Sequence, residues 1–295
     1  MLFVFAIAVL MTGCGIEKND KTEPGQNTEQ NTEQDIKQEA QQNTGQDIKQ
    51  STQQNTEQIE KRSAVKVAVI DTGFSQKAIP AENIIEGRNY LYPELSTEGT
   101  YGHGTAVASI ILQYASDVML VPLVSSAYEK GKIKQVDNDT LAQMILDAVD
   151  VYDCDIINIS AGIVLDKDTI RAACAHAEEE GVLIVASAGN DYQLNSDVKY
   201  YPAAYDTVLA VGALNKDGTE IADFSQRGEW VDIYAIGEEV TISTLSGNTR
   251  TGDGSSYSAA KVTAIAANFI KAAAGFDIQQ LREKIKEEVD LKVNN

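Results

Sequence analysis

Several residue types are scarce in this chain, and each scarcity limits the functions that the protein can have. Its 295 residues include 24 lysines and arginines against 44 aspartates and glutamates, for a formal net charge of −20. So acidic a chain argues against nucleic acid and anionic lipid as partners, because both bind basic surfaces. Only three cysteines and two histidines are present, and no Cys-x-x-Cys spacing. We therefore predict no metal site and no cofactor, with calcium the one ion left open.

Two of the three cysteines fall within segments that we predict to be ordered. Cys154 precedes a predicted strand, and Cys174 lies in a predicted helix. We interpret both as buried, reduced thiols. A disulfide between them stays open as the alternative, because sequence alone gives neither their separation nor their direction.

The N-terminus carries an apolar run that is too short to span a bilayer as a mature helix. Residues 1–13 are almost wholly apolar, and Cys14 follows with polar residues after it. This arrangement resembles a bacterial lipoprotein signal, although no lysine or arginine precedes the run. The resemblance implies that residues 1–14 are a signal segment, that Cys14 is lipidated, and that the protein is anchored to the membrane outside the cytoplasm. A plain secretory signal, and so a secreted protein, is the alternative.

A low-complexity segment follows at residues 15–61. Its sequence is rich in Gln, Asn and Thr, lacks aromatic residues, and repeats, so that residues 31–42 recur at 43–54. Such a segment buries too little apolar surface to offset the entropy lost on ordering. We predict a disordered tether at 15–61, followed by one folded domain over 62–295.

From residue 65 onward, apolar segments of strand character alternate with segments of helix character. Strands are predicted at 66–71, 118–123, 155–160, 182–187 and 207–212, and shorter β segments at 230–235 and 240–244. Helices are predicted at 104–114, 139–152, 168–180, 257–274 and 278–288. This alternation predicts a three-layer α/β fold, with a mostly parallel central sheet and helices on both faces.

Three short motifs carry residues suited to acyl transfer. Asp71 ends an apolar, β-branched run and is followed by Thr-Gly, and His103 lies between two glycines ahead of a helical run. Ser256 lies in a Gly-Ser-Ser turn that leads into an apolar helix. A serine at a helix N-terminus suits a nucleophile, because free N–H groups and the helix dipole stabilise negative charge beside it. The order Asp, His, Ser along the chain is the order found in subtilisin.

These motifs closely resemble the three signatures of the subtilisin-like serine peptidases. Residues 187–190, Ser-Ala-Gly-Asn, resemble the segment that carries this family's oxyanion asparagine. The resemblance implies that Ser256 is the nucleophile, that His103 is the general base, and that Asp71 orients the imidazole. It also implies that Asn190 and the Ser256 N–H bind the oxyanion. The second histidine, His176, lies in the middle of a predicted helix without a motif.

The same resemblance implies where a substrate would lie. Its substrate-binding segments correspond to Ser160, Ala161, Gly162, Ala188, Gly189 and Tyr200. The first three would pair with the substrate backbone as an added strand and form one wall of the first specificity pocket. The next two would form the other wall. Tyr200 falls at the pocket floor, where a smaller residue is common. It would make the pocket shallower or give it a hydroxyl, unless it turns outward.

The motifs together predict a serine endopeptidase that acts on polypeptides through an acyl-enzyme, as a monomer. Two alternatives stay open. One is a dedicated leader peptidase for a lanthipeptide or bacteriocin precursor, suggested by the compact domain, the predicted tether, the lack of a folded pro-region and Lys261 after the serine motif. The other is a catalytically inactive binding lipoprotein with a subtilase fold, against which the presence of all the motif residues speaks.

Overall fold

The computed structural model describes residues 64–115, 117–272 and 277–293, with side chains described up to residue 289. The signal segment predicted at 1–14, its lipidation site Cys14 and the tether predicted at 15–61 lie outside the described residues. Across the described ranges, none of the helices is both long enough and apolar enough to span a bilayer.

Strands of apolar and β-branched residues form the centre of the fold. The described residues contain β1 (Val65–Asp71), β2 (Arg88–Asn89), β3 (Val118–Val124), β4 (Ser126–Glu129), β5 (Lys132–Gln135), β6 (Ile156–Ile159), β7 (Leu183–Ser187), β8 (Val208–Leu214), β9 (Ile233–Ile236), β10 (Val240–Ser243) and β11 (Thr249–Gly252). Seven of them form a parallel sheet in the order β2-β3-β1-β6-β7-β8-β9. The other four form two antiparallel hairpins, β4–β5 and β10–β11.

Helices cover both faces of this sheet, which confirms the predicted three-layer α/β fold. They are α1 (His103–Tyr114), α2 (Asn138–Asp150), α3 (Asp168–Glu179), α4 (Ser255–Ala272) and α5 (Ile278–Val293). Successive side chains of a strand point to opposite faces. Accordingly, Val67 and Val69 pack in a core with α1, α4 and α5. Ala68 and Ile70 pack in a second core with α2 and α3.

The predicted elements are present, and most of their ends differ by one or two residues. The difference that matters lies at α4, which begins at Ser255 rather than at residue 257. Ser256 is therefore inside the first helical turn. The hairpin β4–β5 was not predicted, because all four residues of β5 are exposed and show no alternation between core and solvent.

The two cysteines of the described residues are free and buried. Cys154 lies just before β6, and Cys174 lies on α3. Burial raises the pKa of each thiol to about 12. Neither side chain is therefore a thiolate at neutral pH, which matches their interpretation as reduced core residues.

Candidate active site

Three neighbouring strands of the sheet bring the predicted site segments to one edge. In the pairing register, Ile70 of β1 lies beside Ile159 of β6, and Ile159 lies beside Ala186 of β7. Asp71, Ser160 and Ser187 come next along their strands, so they all lie at the carboxyl edge. Open parallel sheets place their binding sites at this edge.

An aspartate–histidine pair is formed where β1 ends and α1 begins. His103 is the first residue of α1, and its Nδ1 lies 2.9 Å from both carboxylate oxygens of Asp71. Asp71 is only 4% exposed, and its Oδ1 also accepts a hydrogen bond from the Thr72 N–H at 2.7 Å. The carboxylate is thus fixed from two sides, and its partner on the imidazole is Nδ1. The Nε2 atom is the ring nitrogen left for other chemistry.

Gly104 allows α1 to approach the end of β1 this closely. A Cβ atom on Gly104 would lie 2.5 Å from the Gly73 carbonyl oxygen and 3.2 Å from Asp71 Oδ1. Its N–H instead donates to Thr72 Oγ1 at 2.9 Å. Thr72 and Gly104 therefore support the pair, and their signal in the sequence is their position beside Asp71 and His103.

The surroundings of His103 act on its pKa in opposite directions. Burial alone would lower the pKa, because it disfavours the charged imidazolium. The negative charge of Asp71 and its hydrogen bond to the ring raise the pKa, and together they prevail. The pKa of His103 is therefore above the ordinary value of 6.5.

Ser256 lies in the first turn of α4, one residue before a side chain that contacts His103. The ring of the following residue, Tyr257, stacks against the His103 ring with the centroids 6.1 Å apart and the planes at 29°. Ser256 is 5% exposed. The first four N–H groups of a helix have no acceptor within the helix, so the Ser256 N–H points out of the helix start as a donor.

Asn190 connects the end of β7 to the start of α4. Its Oδ1 accepts a hydrogen bond from the Ser255 N–H at 2.7 Å, and the Gly189 N–H donates to Ser255 Oγ at 3.2 Å. A Cβ atom on Gly254 would lie 3.5 Å from Asn190 Nδ2 and 3.9 Å from the Ser256 nitrogen. The two donors thus border one space, which Gly254 leaves empty.

The segment after β6, residues 160–162, faces solvent, and hydrogen bonds hold its first residue to the protein interior. Ala161 and Gly162 are exposed, and Ser160 is partly exposed. Asn158 Nδ2 donates to Ser160 Oγ at 3.1 Å, and its Oδ1 accepts from Thr263 Oγ1 of α4 at 2.9 Å. This chain of hydrogen bonds ties the segment to the helix that carries Ser256.

Tyr200 turns inward, so the outward orientation considered from sequence is wrong. Its side chain belongs to the buried core at 9% exposure, and its hydroxyl donates to Asp191 Oδ2 at 2.6 Å. Sequence reasoning missed Asp191. Its only signal was its position directly after Asn190.

The second histidine, His176, has its hydrogen-bond partner outside this site. It lies on α3, and its Nε2 is 2.9 Å from Asp150 Oδ1 at the surface. Within the described ranges, no group of three or more His, Cys, Asp or Glu side chains is placed to hold a metal ion.

Comparison with known proteins supports the family assignment. The profile of the subtilase family, peptidase S8, matches residues 62–295. Subtilisin BL of Lederbergia lenta is 35% identical over 193 residues, covering 63% of this chain and 68% of that protein. The minor extracellular protease Epr of Bacillus subtilis is 32% identical over 232 residues, or 76% of this chain. The chain belongs to the subtilase family. It spans 35% of Epr and 57% of a thermophilic serine proteinase from a Bacillus species.

Solved structures share the fold. Sphericase superimposes with a TM-score of 0.65 at 26% identity, covering 76% of this chain and 83% of that one. A lanthipeptide protease also gives a TM-score of 0.65, at 22% identity, covering 79% of this chain and 84% of that one. The equal scores mean that the fold does not distinguish between these two kinds of relative.

Proposed function

We propose that this protein is a serine endopeptidase that hydrolyses polypeptides through an acyl-enzyme on Ser256. The observation that carries this proposal is the Asp71–His103 pair. His103 Nδ1 lies 2.9 Å from Asp71 Oδ1, and the His103 ring stacks on Tyr257 in the first turn of α4. Membership of the subtilase family supports it.

In the first half of the reaction, Ser256 Oγ attacks the substrate carbonyl, and His103 Nε2 takes its proton. Asp71 keeps the proton on Nδ1 and stabilises the imidazolium that forms. The carbonyl oxygen becomes an oxyanion between Asn190 Nδ2 and the Ser256 N–H. As the tetrahedral intermediate collapses, His103 passes its proton to the leaving amine. Water then repeats the cycle on the ester and releases the second product.

The test is the Ser256→Ala variant, assayed with a peptide substrate. We expect kcat to fall by about 10⁶-fold, because no other group supplies the nucleophile. Ser246→Ala is the matched control, since Ser246 is exposed in the β10–β11 turn. Undiminished turnover by Ser256→Ala would refute the mechanism. A wild-type protein that binds peptides without cleaving them would favour the inactive binding protein.

Two versions of this proposal, a broad endopeptidase and a dedicated leader peptidase, differ in the range of substrates that they predict. A broad endopeptidase would digest casein rapidly. A dedicated leader peptidase would leave casein intact and cut a lanthipeptide precursor at one bond. The likeness to a lanthipeptide protease is one of fold. We give the broader activity precedence, because the relatives of higher identity carry general protease names.

We further propose that the protein acts as a monomer outside the cytoplasmic membrane, held by lipid on Cys14. The proposal rests on the sequence around Cys14 and on the tether that follows it. Membrane fractions of cells expressing the full chain should contain the protein, and Cys14→Ala should release it. Equal membrane retention of both forms would argue against lipidation.

A further inference from the structure

We propose that Tyr200 fills the first specificity pocket, so that this chain cleaves after small residues such as glycine, alanine and serine. This inference rests on the proposed peptidase function, because it assigns the substrate class of the same site.

The position of the Tyr200 ring is set by two glycines. A Cβ atom on Gly189 would lie 2.7 Å from Tyr200 Cδ2, and one on Gly162 would lie 3.0 Å from Tyr200 Cβ and 3.4 Å from Cδ1. The side chain is therefore packed against the backbone of both segments. Because Gly189 is hydrogen-bonded to Ser255, the ring lies close to the turn that carries Ser256. A substrate side chain entering between these glycines would meet the tyrosine.

A buried hydrogen-bond network holds the ring there. Asp191 is 4% exposed, and its Oδ2 accepts hydrogen bonds from the Tyr200 hydroxyl and from Asn195 Nδ2, each at 2.6 Å. Its Oδ1 accepts from Gln226 Nε2 at 3.0 Å, and Gln226 is fully buried. Outward rotation of Tyr200 would remove one of three side-chain donors from a buried carboxylate, which is unfavourable.

The backbone that follows the Tyr200 Cα is fixed as well. Ile163 and Tyr201 exchange two hydrogen bonds, of 2.9 and 2.8 Å, and the Tyr200 carbonyl accepts from the Ala204 N–H at 2.9 Å. A shift of the segment would break these backbone hydrogen bonds, and rotation of the ring would break its hydrogen bond to Asp191. The ring therefore stays in the pocket. A substrate side chain longer than that of alanine or serine would therefore meet the ring.

The Asp191 carboxylate lies at the end of the Tyr200 side chain, so removal of this side chain changes both the depth and the charge of the pocket. The Tyr200→Gly variant removes the ring and leaves a deeper pocket that ends at Asp191. Such a pocket has room for phenylalanine or leucine, and its negative charge favours lysine and arginine. The Tyr200→Phe variant keeps the ring volume and removes only the hydroxyl.

The experiment measures kcat/KM of the full chain on peptides that differ only in the residue before the cut. We expect the wild type to prefer alanine to phenylalanine, leucine and lysine by at least about 10–200-fold, the range that a single extra methylene produces. Tyr200→Gly should raise cleavage after phenylalanine and lysine by a similar factor. Tyr200→Phe should keep the preference for alanine. Tyr114→Ala, which changes an exposed tyrosine at the far end of α1, should leave the profile unaltered.

A wild-type preference for phenylalanine or leucine would overturn the inference and leave the peptidase proposal intact. A profile that Tyr200→Gly does not change would do the same. If Tyr200→Gly fails to fold, inhibition of the wild type by peptide aldehydes decides: tighter binding of the alanine aldehyde than of the phenylalanine aldehyde supports the inference, and the reverse order overturns it. Absence of any cleavage that depends on Ser256 would refute the proposed function and, with it, this assignment.

Discussion

The Asn190→Asp substitution isolates one half of the proposed oxyanion site. In the wild type, Asn190 Oδ1 accepts from the Ser255 N–H at 2.7 Å, while Nδ2 faces the space beside Gly254. Aspartate has the same shape and keeps that acceptor, so the start of α4 stays in place. It replaces the donor with an oxygen that carries negative charge. The hydrogen bond to the oxyanion is lost, while the contact that holds the start of α4 is kept.

The expected magnitude follows from the role of that donor. Removal of one oxyanion donor lowers kcat by about 10²–10³-fold, or about 2.7–4 kcal/mol of transition-state stabilisation. Asn190→Ala should show this loss. Asn190→Asp should lose at least as much, because its charge also repels the oxyanion. KM should change little in either variant, since the donor acts mainly in the transition state.

Steady-state kinetics on one peptide substrate, together with thermal unfolding of each variant, provide the assay. Asn190→Asp should unfold near the wild-type temperature. Asn190→Ala should unfold at a lower temperature, because the Ser255 N–H loses its acceptor. Wild-type kcat in both variants would refute the assignment of Asn190 to the oxyanion.

Two further outcomes follow from single hydrogen bonds. The rate should rise with pH through the raised pKa of His103, because the base must be neutral, so the acid limb of kcat/KM should lie above pH 6.5. Asp71→Asn should move that limb to lower pH and reduce kcat by about 10⁴-fold. His176→Gln is the control, and an unmoved limb in Asp71→Asn would contradict the assignment. Thr263→Val removes the buried 2.9 Å bond to Asn158 and should cost about 1–3 kcal/mol of unfolding free energy. An unchanged denaturation midpoint would show that this bond contributes nothing.

Much of this fold was predictable, because the parallel strands are nearly continuous apolar runs between helical segments. The hairpin β4–β5 was not, because an exposed hairpin lacks a buried face to impose a pattern. The start of α4 was placed two residues late. Its serines and glycine favour caps and turns, whereas the hydrogen bond from Ser255 to Asn190, 65 residues away in sequence, fixes the true start.

The triad candidates were found from short motifs, while the setting of Tyr200 was beyond sequence reasoning. Its inward orientation depends on Asp191, which is held in turn by Gln226, 35 residues further along the chain. No local pattern links such partners. The same holds for Thr72, whose hydroxyl accepts from the N–H of Gly104 across 32 residues. Side-chain networks of this kind are set by tertiary packing, not by periodicity.

The central claim is that Ser256, activated by His103, is the nucleophile. Its most direct test is treatment of the full chain with a fluorophosphonate, followed by mass spectrometry of the digested protein. We expect one phosphonylated residue, Ser256, and no adduct in the Ser256→Ala and His103→Ala variants. An adduct on a different residue, or cleavage of peptides by a chain that never forms the adduct, would contradict the account.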